Sequence, residues 1–493
     1  MDSSPLIDRE REQADLRDLL DRRGPSMAVL YGRRRVGKTF LLQHAFSPRR
    51  LFHFTSSDAT PELNRRALLE AMSRWSGNDV RLQDFPTWRR VFELIMQLGG
   101  DEPTVVVLDE YQYLHGGQDE NIDSALAAVW EEYVNRRPKG RPFLLVLCGS
   151  IIRVMERLDS AENPLYGRLD WKGRLEPFDY FDAARMATFR EPRDRMLAYG
   201  IYGGTPRYLA TIDPEKTLAQ NVVRSVLSPN GNVRIQVETA IAQEHGLRDL
   251  SDYNAILSAI GLGATQRNEI AMQTGIAANF AFRTRLDKLV DLGLIEATRN
   301  FDASSSEPYR YRLSDPALRF YYNIVSRYRS ELDFDDPMEV WNKHVVTELG
   351  AYMGLLFERT APQAYLRMRS GSGLPIVREW SRWEGLDRDR QQTEIDIVAR
   401  RTDGAMLTGA VKWNTKPVGI SLHDKHFDML KRLSKSGHSW AREALGPNAI
   451  FVYISSGGFT PEFTQHAESA GPRVVAWSLA ELYSLQSTKR AAP

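Results

Sequence analysis

Met27-Ala-Val-Leu-Tyr31, followed directly by Gly32-Arg-Arg-Arg-Val-Gly37-Lys38-Thr39, is the stretch of sequence that decides the fold. The first five residues are apolar and predict a buried strand. The next eight fit the pattern G-x-x-x-x-G-K-[ST], and the apolar stretch from Thr39 to Phe46 predicts a helix behind them. A glycine-containing loop between a strand and a helix aims backbone N–H groups and the helix dipole at a polyphosphate. The sequence therefore predicts a phosphate-binding loop.

The residues of this loop have expected roles in binding a nucleotide. Lys38 can reach the β- and γ-phosphates, and Thr39 can ligate Mg²⁺. ATP with Mg²⁺ is therefore the expected ligand. The residues expected to contact it along the loop are Gly32, Arg33, Arg34, Arg35, Val36, Gly37, Lys38, Thr39 and Phe40.

Two further apolar strands end in polar residues that complete such a site. Val105-Val-Val-Leu108 is followed by Asp109, the expected Mg²⁺ partner, and by Glu110, the expected general base. The third strand, Phe143 to Cys148, is followed by Gly149 and Ser150. The Ser150 hydroxyl either senses the γ-phosphate or caps the next helix, and both interpretations stay open. Strands separated by helices predict a parallel sheet that is covered on both faces.

The composition is that of a globular protein with several domains. At about 150 residues per domain, 493 residues predict about three domains. The chain has 65 Lys and Arg residues against 64 Asp and Glu residues, so its overall charge does not indicate nucleic-acid binding. No apolar run approaches the roughly 20 residues of a membrane helix, so a cytoplasmic protein with no membrane partner is expected. The single cysteine, Cys148, excludes an internal disulfide framework.

Five motifs in this order resemble the archaeal-type ATPases of the STAND branch of AAA-like P-loop proteins. They are Leu6-Ile-Asp-Arg9-Glu10, Tyr31 to Thr39, Leu108-Asp-Glu110, Pro164-Leu-Tyr-Gly-Arg168 and Tyr202-Gly-Gly-Thr-Pro206. The resemblance covers essentially the whole chain. It implies a helical lid in which Gly204 and Pro206 lie near the adenine, although a simple helix breaker explains this turn equally well. Arg168 is the candidate arginine finger.

Residues 251–313 resemble a winged helix, with three helices followed by two short strands. The third helix, Phe280 to Leu292, carries three basic residues, Arg283, Arg285 and Lys288. In DNA-binding proteins of this kind the third helix enters the major groove. Asp287 and Asp291 lie on the same helix, and winged helices in this family also act as rigid connectors, so both roles stay open.

Residues 348–485 resemble the C-terminal domain of the family, which has a restriction-endonuclease-like fold with a PD-(D/E)xK site. The resemblance assigns Glu358 and Asp396 as metal ligands and Lys412 as the residue that orients water or stabilises charge. Ala410 stands where relatives carry the acid of the acid-x-Lys pair. Either the acid was deliberately removed, or the domain has degenerated into a binding module. An ordinary β-hairpin with exposed charges is the third interpretation.

The predicted fold class is α/β: a P-loop NTPase parallel sheet with a helical lid, a winged helix-turn-helix and a C-terminal α/β restriction-endonuclease-like domain. The predicted ranges are 1–195 for the ATPase core, 196–247 for the lid, 248–330 for the winged helix and 331–493 for the nuclease-like domain. A charged, proline-containing stretch at 330–337 predicts a linker before the last domain.

Two functions of different classes follow from these features. In the first, ATP binding and hydrolysis control a C-terminal DNA nuclease-like domain in DNA processing or genome defence, and Ala410 impairs its cleavage. In the second, the chain is a non-catalytic STAND-type signalling switch or DNA-binding regulator with a degenerate nuclease fold. DNA is the expected partner, and nucleotide-driven homo-oligomerisation fits this kind of P-loop ATPase.

Overall fold

Two five-stranded sheets organise the computed structural model of the chain. The structure describes residues 7–22, 24–47, 50–98, 102–115, 121–136, 142–240, 249–370 and 372–484. The first sheet lies near the N-terminus and the second near the C-terminus, with a two-stranded hairpin between them in the sequence. Of the helices in these ranges, none has both the length and the apolar composition that crossing a membrane requires.

The first sheet is parallel throughout, which confirms the predicted α/β core, and its strand order is β2-β3-β4-β1-β5. Its strands are β1 (Pro25–Tyr31), β2 (Arg50–Thr55), β3 (Thr104–Asp109), β4 (Phe143–Gly149) and β5 (Trp171–Arg174). The unbroken apolar runs of β1, β3 and β4 are buried on both faces, as central parallel strands require. The sequence analysis missed β2 and β5, because β2 is only half buried and β5 has four residues.

Helices cover both faces of this sheet and form two separate apolar cores. One core contains Phe92, Leu108 and Trp130, and the other contains Leu42 and Val105. The flanking helices are α1 (Glu10–Asp21), α2 (Lys38–Phe46), α3 (Pro61–Ser76), α4 (Trp88–Gln97), α5 (Ile122–Arg136) and α6 (Ile152–Arg157).

A helical segment and a small helix-and-hairpin unit follow the first sheet. The helices of the segment are α7 (Tyr180–Ala187), α8 (Pro192–Tyr202), α9 (Pro206–Leu209), α10 (Leu218–Val222) and α11 (Asn232–Glu238). The next unit has three helices and an antiparallel hairpin: α12 (Leu250–Gly261), α13 (Arg267–Thr274), α14 (Phe280–Asp291), β6 (Ile295–Thr298) and β7 (Arg310–Leu313).

The second sheet is mixed, with strand order β12-β11-β10-β9-β8. Strands β10, β11 and β12 run parallel, whereas β8 and β9 pair antiparallel at one edge. The strands are β8 (Val377–Leu386), β9 (Gln392–Arg401), β10 (Met406–Lys412), β11 (Ile450–Ser455) and β12 (Val474–Ser478). The helices of this part are α15 (Pro316–Phe320), α16 (Arg329–Phe334), α17 (Pro337–Val340), α18 (Val346–Arg369), α19 (Ser421–Lys435), α20 (Ser439–Glu443), α21 (Pro461–Ala470) and α22 (Leu479–Tyr483).

The stretch predicted as a linker is instead largely helical. Helix α16 covers its first half and buries Leu332, and Asp336 caps α17, which starts at Pro337. Proline at the first helical position starts a helix rather than breaking one, which explains the wrong prediction. Helices α8 and α16 span the predicted boundaries at 195/196 and 330/331, and the boundary at 247/248 lies outside the described residues. The domain ranges stay predictions.

One continuous apolar core joins the helical segment, the helix-and-hairpin unit and one face of the second sheet. A buried ion pair lies in this region, between α18 and the start of α7. The Arg367 guanidinium donates to Asp179 at 2.6 and 2.8 Å, and it also contacts Asp182. Asp179 in turn accepts from the Phe181 and Asp182 backbone N–H groups and so caps α7.

We expect Arg367→Ala to lower the free energy of unfolding by about 3–5 kcal/mol, because it removes a cation that bonds to two buried carboxylates. Urea unfolding followed by tryptophan fluorescence measures this change. The matched control is Arg66→Ala, which removes an exposed ion pair with Glu70 and should change the stability by less than about 0.5 kcal/mol. Equal effects of the two substitutions would show that the Arg367 pair does not hold these elements together.

Candidate nucleotide site and a C-terminal carboxylate cluster

The loop between β1 and α2 has the backbone geometry that close contact with a ligand requires. Gly37 and Arg35 both have positive φ angles, 95° and 70°. At Gly32, a Cβ atom would lie 2.2 Å from the Leu175 carbonyl oxygen, so no larger residue fits there. The loop therefore holds a tight turn directly before the first turn of α2.

Lys38 is almost fully buried beneath this loop. Its Nζ donates to the carbonyl oxygens of Gly32, at 2.8 Å, and Arg33, at 3.1 Å. Both acceptors are neutral, and no carboxylate among the described residues is in hydrogen-bonding contact with the ammonium group. A phosphate entering the loop would therefore meet a cation that is already positioned there.

Asp109 connects the ends of three strands with the start of α2. Its Oδ2 accepts from the Thr39 hydroxyl at 3.2 Å and lies 3.3 Å from Nε2 of His53 on β2. Burial acts to raise the pKa of Asp109, but hydrogen bonds from His53 and the Cys148 thiol, with Lys38 nearby, lower this pKa to about 2. Asp109 is therefore ionised, and a hydroxyl beside a buried carboxylate is a donor set that suits Mg²⁺.

Glu110 has a strained backbone and a well-defined side chain. Its φ angle of 54° is in the left-handed region, which non-glycine residues rarely adopt. Its Oε2 accepts from the Ser150 hydroxyl at 2.7 Å and from the Ser150 N–H at 3.2 Å, and Gln112 donates to it as well. Helix α6 has Ile151 at its N-cap with no side-chain hydrogen bond, so Ser150 does not cap that helix.

A cavity of about 650 Å³ opens above the loop. Its volume is in the range of small-ligand pockets. The predicted residues that line it are Arg34, Arg35, Val36, Gly37, Lys38, Thr39, Phe40, Asp109, Glu110 and Pro206. The structure thus brings together, around one space, the loop, both acidic residues and a residue of the Gly-Gly-Thr-Pro turn.

Five of the residues predicted for the nucleotide site do not line this cavity: Gly32, Arg33, Ser150, Gly204 and Arg168. Gly204 supports the cavity wall indirectly, because its carbonyl accepts from the N–H of Phe178, which does line the cavity. The guanidinium of Arg168 bonds to the Pro164 carbonyl at 2.9 Å and lies 3.3 Å from Glu131. Within this single chain, the structure does not bring Arg168 to the nucleotide cavity.

Several cavity residues carry no local signal and were missed by the sequence analysis. They are Ile7, Phe178, Met186, Arg207, Ala210 and Gln236, together with Arg9, which the sequence analysis quoted only as part of a motif. The side chain of Arg9 is buried, and its guanidinium carbon lies 5.3 Å from the centre of the Phe178 ring. These residues add apolar and cationic side chains to the lining of the cavity.

The three arginines of the loop contact three different parts of the chain. Arg33 pairs with Asp315 at 3.3 Å, just before α15. Arg34 donates to the Tyr113 hydroxyl at 2.6 Å. Arg35 donates to the Gln236 carbonyl of α11 at 2.8 Å. The phosphate-binding loop is therefore bonded directly to the helical segment and to the segment after the hairpin.

A second cluster of chemically active groups lies in the C-terminal sheet. Carboxylate oxygens of Glu358, Glu394 and Asp396 approach within 4.8 Å of one another. Burial, together with the neighbouring charge of Asp396, raises the pKa of Glu358 to about 7, although Arg382 opposes the shift. The raised pKa of Glu358 shows that the neighbouring positive charges do not fully neutralise the cluster. Three carboxylates at this spacing could hold a hard divalent cation.

Basic side chains partly neutralise this carboxylate cluster. Lys412 Nζ lies 2.9 Å from Asp396 Oδ2, and the Val411 N–H donates to the same oxygen at 2.8 Å. Arg382 is 3.8 Å from Glu358 and also contacts Glu394. The structure therefore brings Glu358, Asp396 and Lys412 together. The sequence analysis did not identify Arg382 as part of this cluster.

Ala410 lies on β10 two residues before Lys412, so the two residues share a face of the strand. Gly409 pairs with Ile397, and extending that antiparallel register by one residue places Ala410 opposite Asp396. Ala410 is buried among apolar side chains. A carboxylate at position 410 would therefore start beside Asp396 and Lys412, but next to an apolar environment.

Comparison with known proteins agrees with the description of the first sheet and its loop. Residues 6–212 match a family model described as an ATPase domain predominantly from Archaea. Residues 321–426 match a model of archaeal and bacterial proteins of unknown function. The parallel sheet, the loop and most of the residues that line the cavity lie within the range that matches this ATPase domain.

Individual relatives are distant. An uncharacterized protein of Methanocaldococcus jannaschii is 23% identical over 419 residues, covering 83% of this chain and 87% of the relative. A Walker-type ATPase of Pyrococcus abyssi has a TM-score of 0.48 and 20% identity, covering 65% of this chain and 96% of its own. The ORC2 protein of Aeropyrum pernix, solved with ADPNP and ADP, has a TM-score of 0.44 and 15% identity over 67% of this chain and 97% of its own.

Proposed function

We propose that this chain binds and hydrolyses Mg·ATP in the cavity above Lys38, and that the nucleotide state controls the C-terminal domain. The observation that carries the proposal is the cavity itself, in which Lys38, Thr39, Asp109 and Glu110 face a single space. This set provides a cation for the phosphates, oxygen ligands for a metal and a base for water. The match of residues 6–212 to an ATPase domain supports the same assignment.

Each residue has a distinct role in this proposal. Mg²⁺, when bound, neutralises charge on the β- and γ-phosphates. Thr39 and Asp109 would hold it, Lys38 would bind phosphate oxygens, and Glu110 would accept a proton from the attacking water. Ser150 fixes the Glu110 carboxylate through two hydrogen bonds and therefore acts as its positioning residue.

The contacts of the loop arginines support coupling to the rest of the chain. Arg33 bonds to Asp315, just before α15, and Arg35 bonds to the Gln236 carbonyl of α11. A phosphate that changes the conformation of the loop therefore also changes the contacts of these two segments. An ion pair at 2.5 Å between Arg153 of α6 and Asp291 of α14 adds a further connection between the first sheet and the helix-and-hairpin unit. The nucleotide cavity and the C-terminal half therefore have several direct connections through which each can bias the other.

Binding of Mg·ATP to the full chain, measured by calorimetry, tests the first part of the proposal. We expect Lys38→Ala to bind at least about tenfold more weakly, because a hydrogen bond to a charged group contributes about 1.5–3 kcal/mol. Lys172→Ala is the matched control, since Lys172 is on the same sheet but pairs with Asp159 outside the cavity. Equal affinities of the parent and both variants would contradict the assignment.

A second candidate function, metal-dependent cleavage of DNA, is favoured by the Glu358, Glu394 and Asp396 cluster beside Lys412. In this proposal, residues 331–493 form the nuclease-like domain, and Ala410 removes one metal ligand and suppresses cleavage. The non-catalytic alternative keeps the ATP switch but gives the C-terminal domain only a binding role. A homo-oligomer, in which Arg168 of one copy reaches the cavity of another, belongs to the same proposal.

The helix-and-hairpin unit is proposed as a winged helix that contacts DNA or connects the two ends of the chain. Two of the three basic residues on α14 have acidic neighbours: Arg285 pairs with Asp252 at 2.9 Å, and Arg283 lies 3.8 Å from Asp287. These pairs reduce the positive charge that α14 can offer to a duplex. Together with the Arg153 ion pair, they favour the connector role over direct reading of DNA by this helix.

A further inference from the structure

A cavity of about 380 Å³ lies between the β6–β7 hairpin, helix α18 and the edge strand β8. Both the carboxylates Glu358 and Asp396 and the arginines Arg312, Arg359 and Arg382 line it. The cavity is therefore built jointly by the hairpin and by the C-terminal domain. The hairpin contributes Arg312 from β7.

Most charged groups around this cavity already have partners of opposite charge. Arg359 pairs with Glu296 at 3.1 Å, Arg382 lies 3.8 Å from Glu358, and Asp396 pairs with Lys412 at 2.9 Å. Arg312 differs: within the ranges that the structure describes, its guanidinium makes no hydrogen bond and no ion pair.

The electrostatic surroundings of Arg312 are unfavourable for a cation. Burial, together with the positive charges of Arg382 and Arg359, lowers the pKa of Arg312 to about 10, although the more weakly acting carboxylates of Glu384 and Glu358 oppose the shift. A half-buried cation that lacks a partner is costly unless an anion completes its surroundings. The cavity thus has one positive charge in place for an anionic ligand.

We propose that Arg312 binds a backbone phosphate of a single DNA strand and so places that strand beside the Glu358 and Asp396 carboxylates. This inference rests on the proposed DNA role of the C-terminal domain. The cavity volume suits one nucleotide unit. The ring of Trp380 also lines the cavity, and an aromatic ring beside an arginine is typical of single-strand binding sites.

The test measures the affinity of the full chain for a short fluorescein-labelled single-stranded DNA across a salt titration. It is done in EDTA without nucleotide, so neither cleavage nor ATP hydrolysis enters the result. We expect Arg312→Ala to bind about tenfold more weakly. The slope of log affinity against log salt should also fall in magnitude by about 0.7, the value for one lost phosphate contact with a single strand. Arg312→Lys should keep most of that slope.

Arg378→Ala is the matched control, because Arg378 is an exposed arginine on β8 that does not line the cavity. It should keep the parent affinity and the parent slope. The thermal unfolding midpoint separates binding from a structural role. Removing a cation that is repelled by its neighbours should leave the midpoint of Arg312→Ala at or above that of the parent.

Three results would overturn the inference. An unchanged slope in Arg312→Ala would show that Arg312 contacts no phosphate, while DNA binding by the parent would leave the proposed DNA role intact. A parent chain that binds no DNA would overturn both the inference and that role. Sensitivity to Arg312→Ala confined to an RNA of the same sequence would overturn the assignment to DNA.

Discussion

Glu110→Gln should reduce phosphate release from ATP by about 10²- to 10⁴-fold, the range that general-base catalysis contributes, and should leave Mg·ATP binding intact. Glutamine keeps the shape of the side chain, and its carbonyl oxygen can still accept from Ser150, which donates to Glu110 through both its hydroxyl and its N–H. Only the ability to take up a proton is lost. Steady-state phosphate release and calorimetric binding, measured on the same preparation, separate the two effects.

Glu70→Gln is the matched control for this experiment. Glu70 is exposed, pairs with Arg66 and does not line the nucleotide cavity. It should hydrolyse ATP at the parent rate. Parent-rate hydrolysis by Glu110→Gln would show that the base has been assigned to the wrong residue.

Ala410→Glu should convert a chain that cleaves DNA poorly or not at all into a metal-dependent nuclease. The new carboxylate would start beside Lys412 on its own strand and opposite Asp396 on the next. Groups that only orient metal ligands contribute about 10- to 100-fold, so adding a ligand should raise cleavage by at least about 100-fold. Plasmid nicking with Mg²⁺ or Mn²⁺, with and without ATP, measures the change.

Two variants control this experiment. Ala410→Gln adds a side chain of the same size without a charge and should stay inactive. It also shows whether the apolar neighbours of position 410 tolerate a longer side chain. Asp396→Ala in the Ala410→Glu background should abolish cleavage again, because it removes the other strand ligand.

Two results would contradict the proposed nuclease activity of the C-terminal domain or the assignment of its missing acid. If Ala410→Glu folds but cuts neither single- nor double-stranded DNA nor RNA in any nucleotide state, the non-catalytic alternative is correct. If the parent chain already cuts efficiently, the acid has been placed at the wrong position. Glu394, whose carboxylate lies within 4.8 Å of those of Glu358 and Asp396, is then the first residue to test.

The sequence predicted the phosphate end of the nucleotide cavity because its signals are local. Eight consecutive residues specify the loop, and the Asp109–Glu110 pair follows a single apolar run. The opposite end of the cavity could not be predicted in this way. Arg9, Phe178 and Gln236 come from distant parts of the chain, and only the packing of the helical segment on the first sheet brings them together.

The same distinction holds in the C-terminal half. Glu358, Asp396 and Lys412 were predicted from a known pattern, and the structure places them close together. Arg382 and Arg312 belong to no pattern, and their environment depends on how strand β8 and the hairpin meet. The motif that proposed Arg168 could not show its contacts within the chain, where its guanidinium donates to the Pro164 carbonyl and lies beside Glu131.

Phosphate release from Mg·ATP by the full chain, measured beside Lys38→Ala and Lys172→Ala, tests the central claim most directly. The parent and Lys172→Ala should release phosphate at the same rate, because Lys172 pairs with Asp159 outside the cavity. Lys38→Ala should fall to the background rate, because the buried ammonium under the loop is the cation expected to meet the β- and γ-phosphates. Equal release by all three proteins would show that the Lys38 cavity is not where this chain hydrolyses ATP.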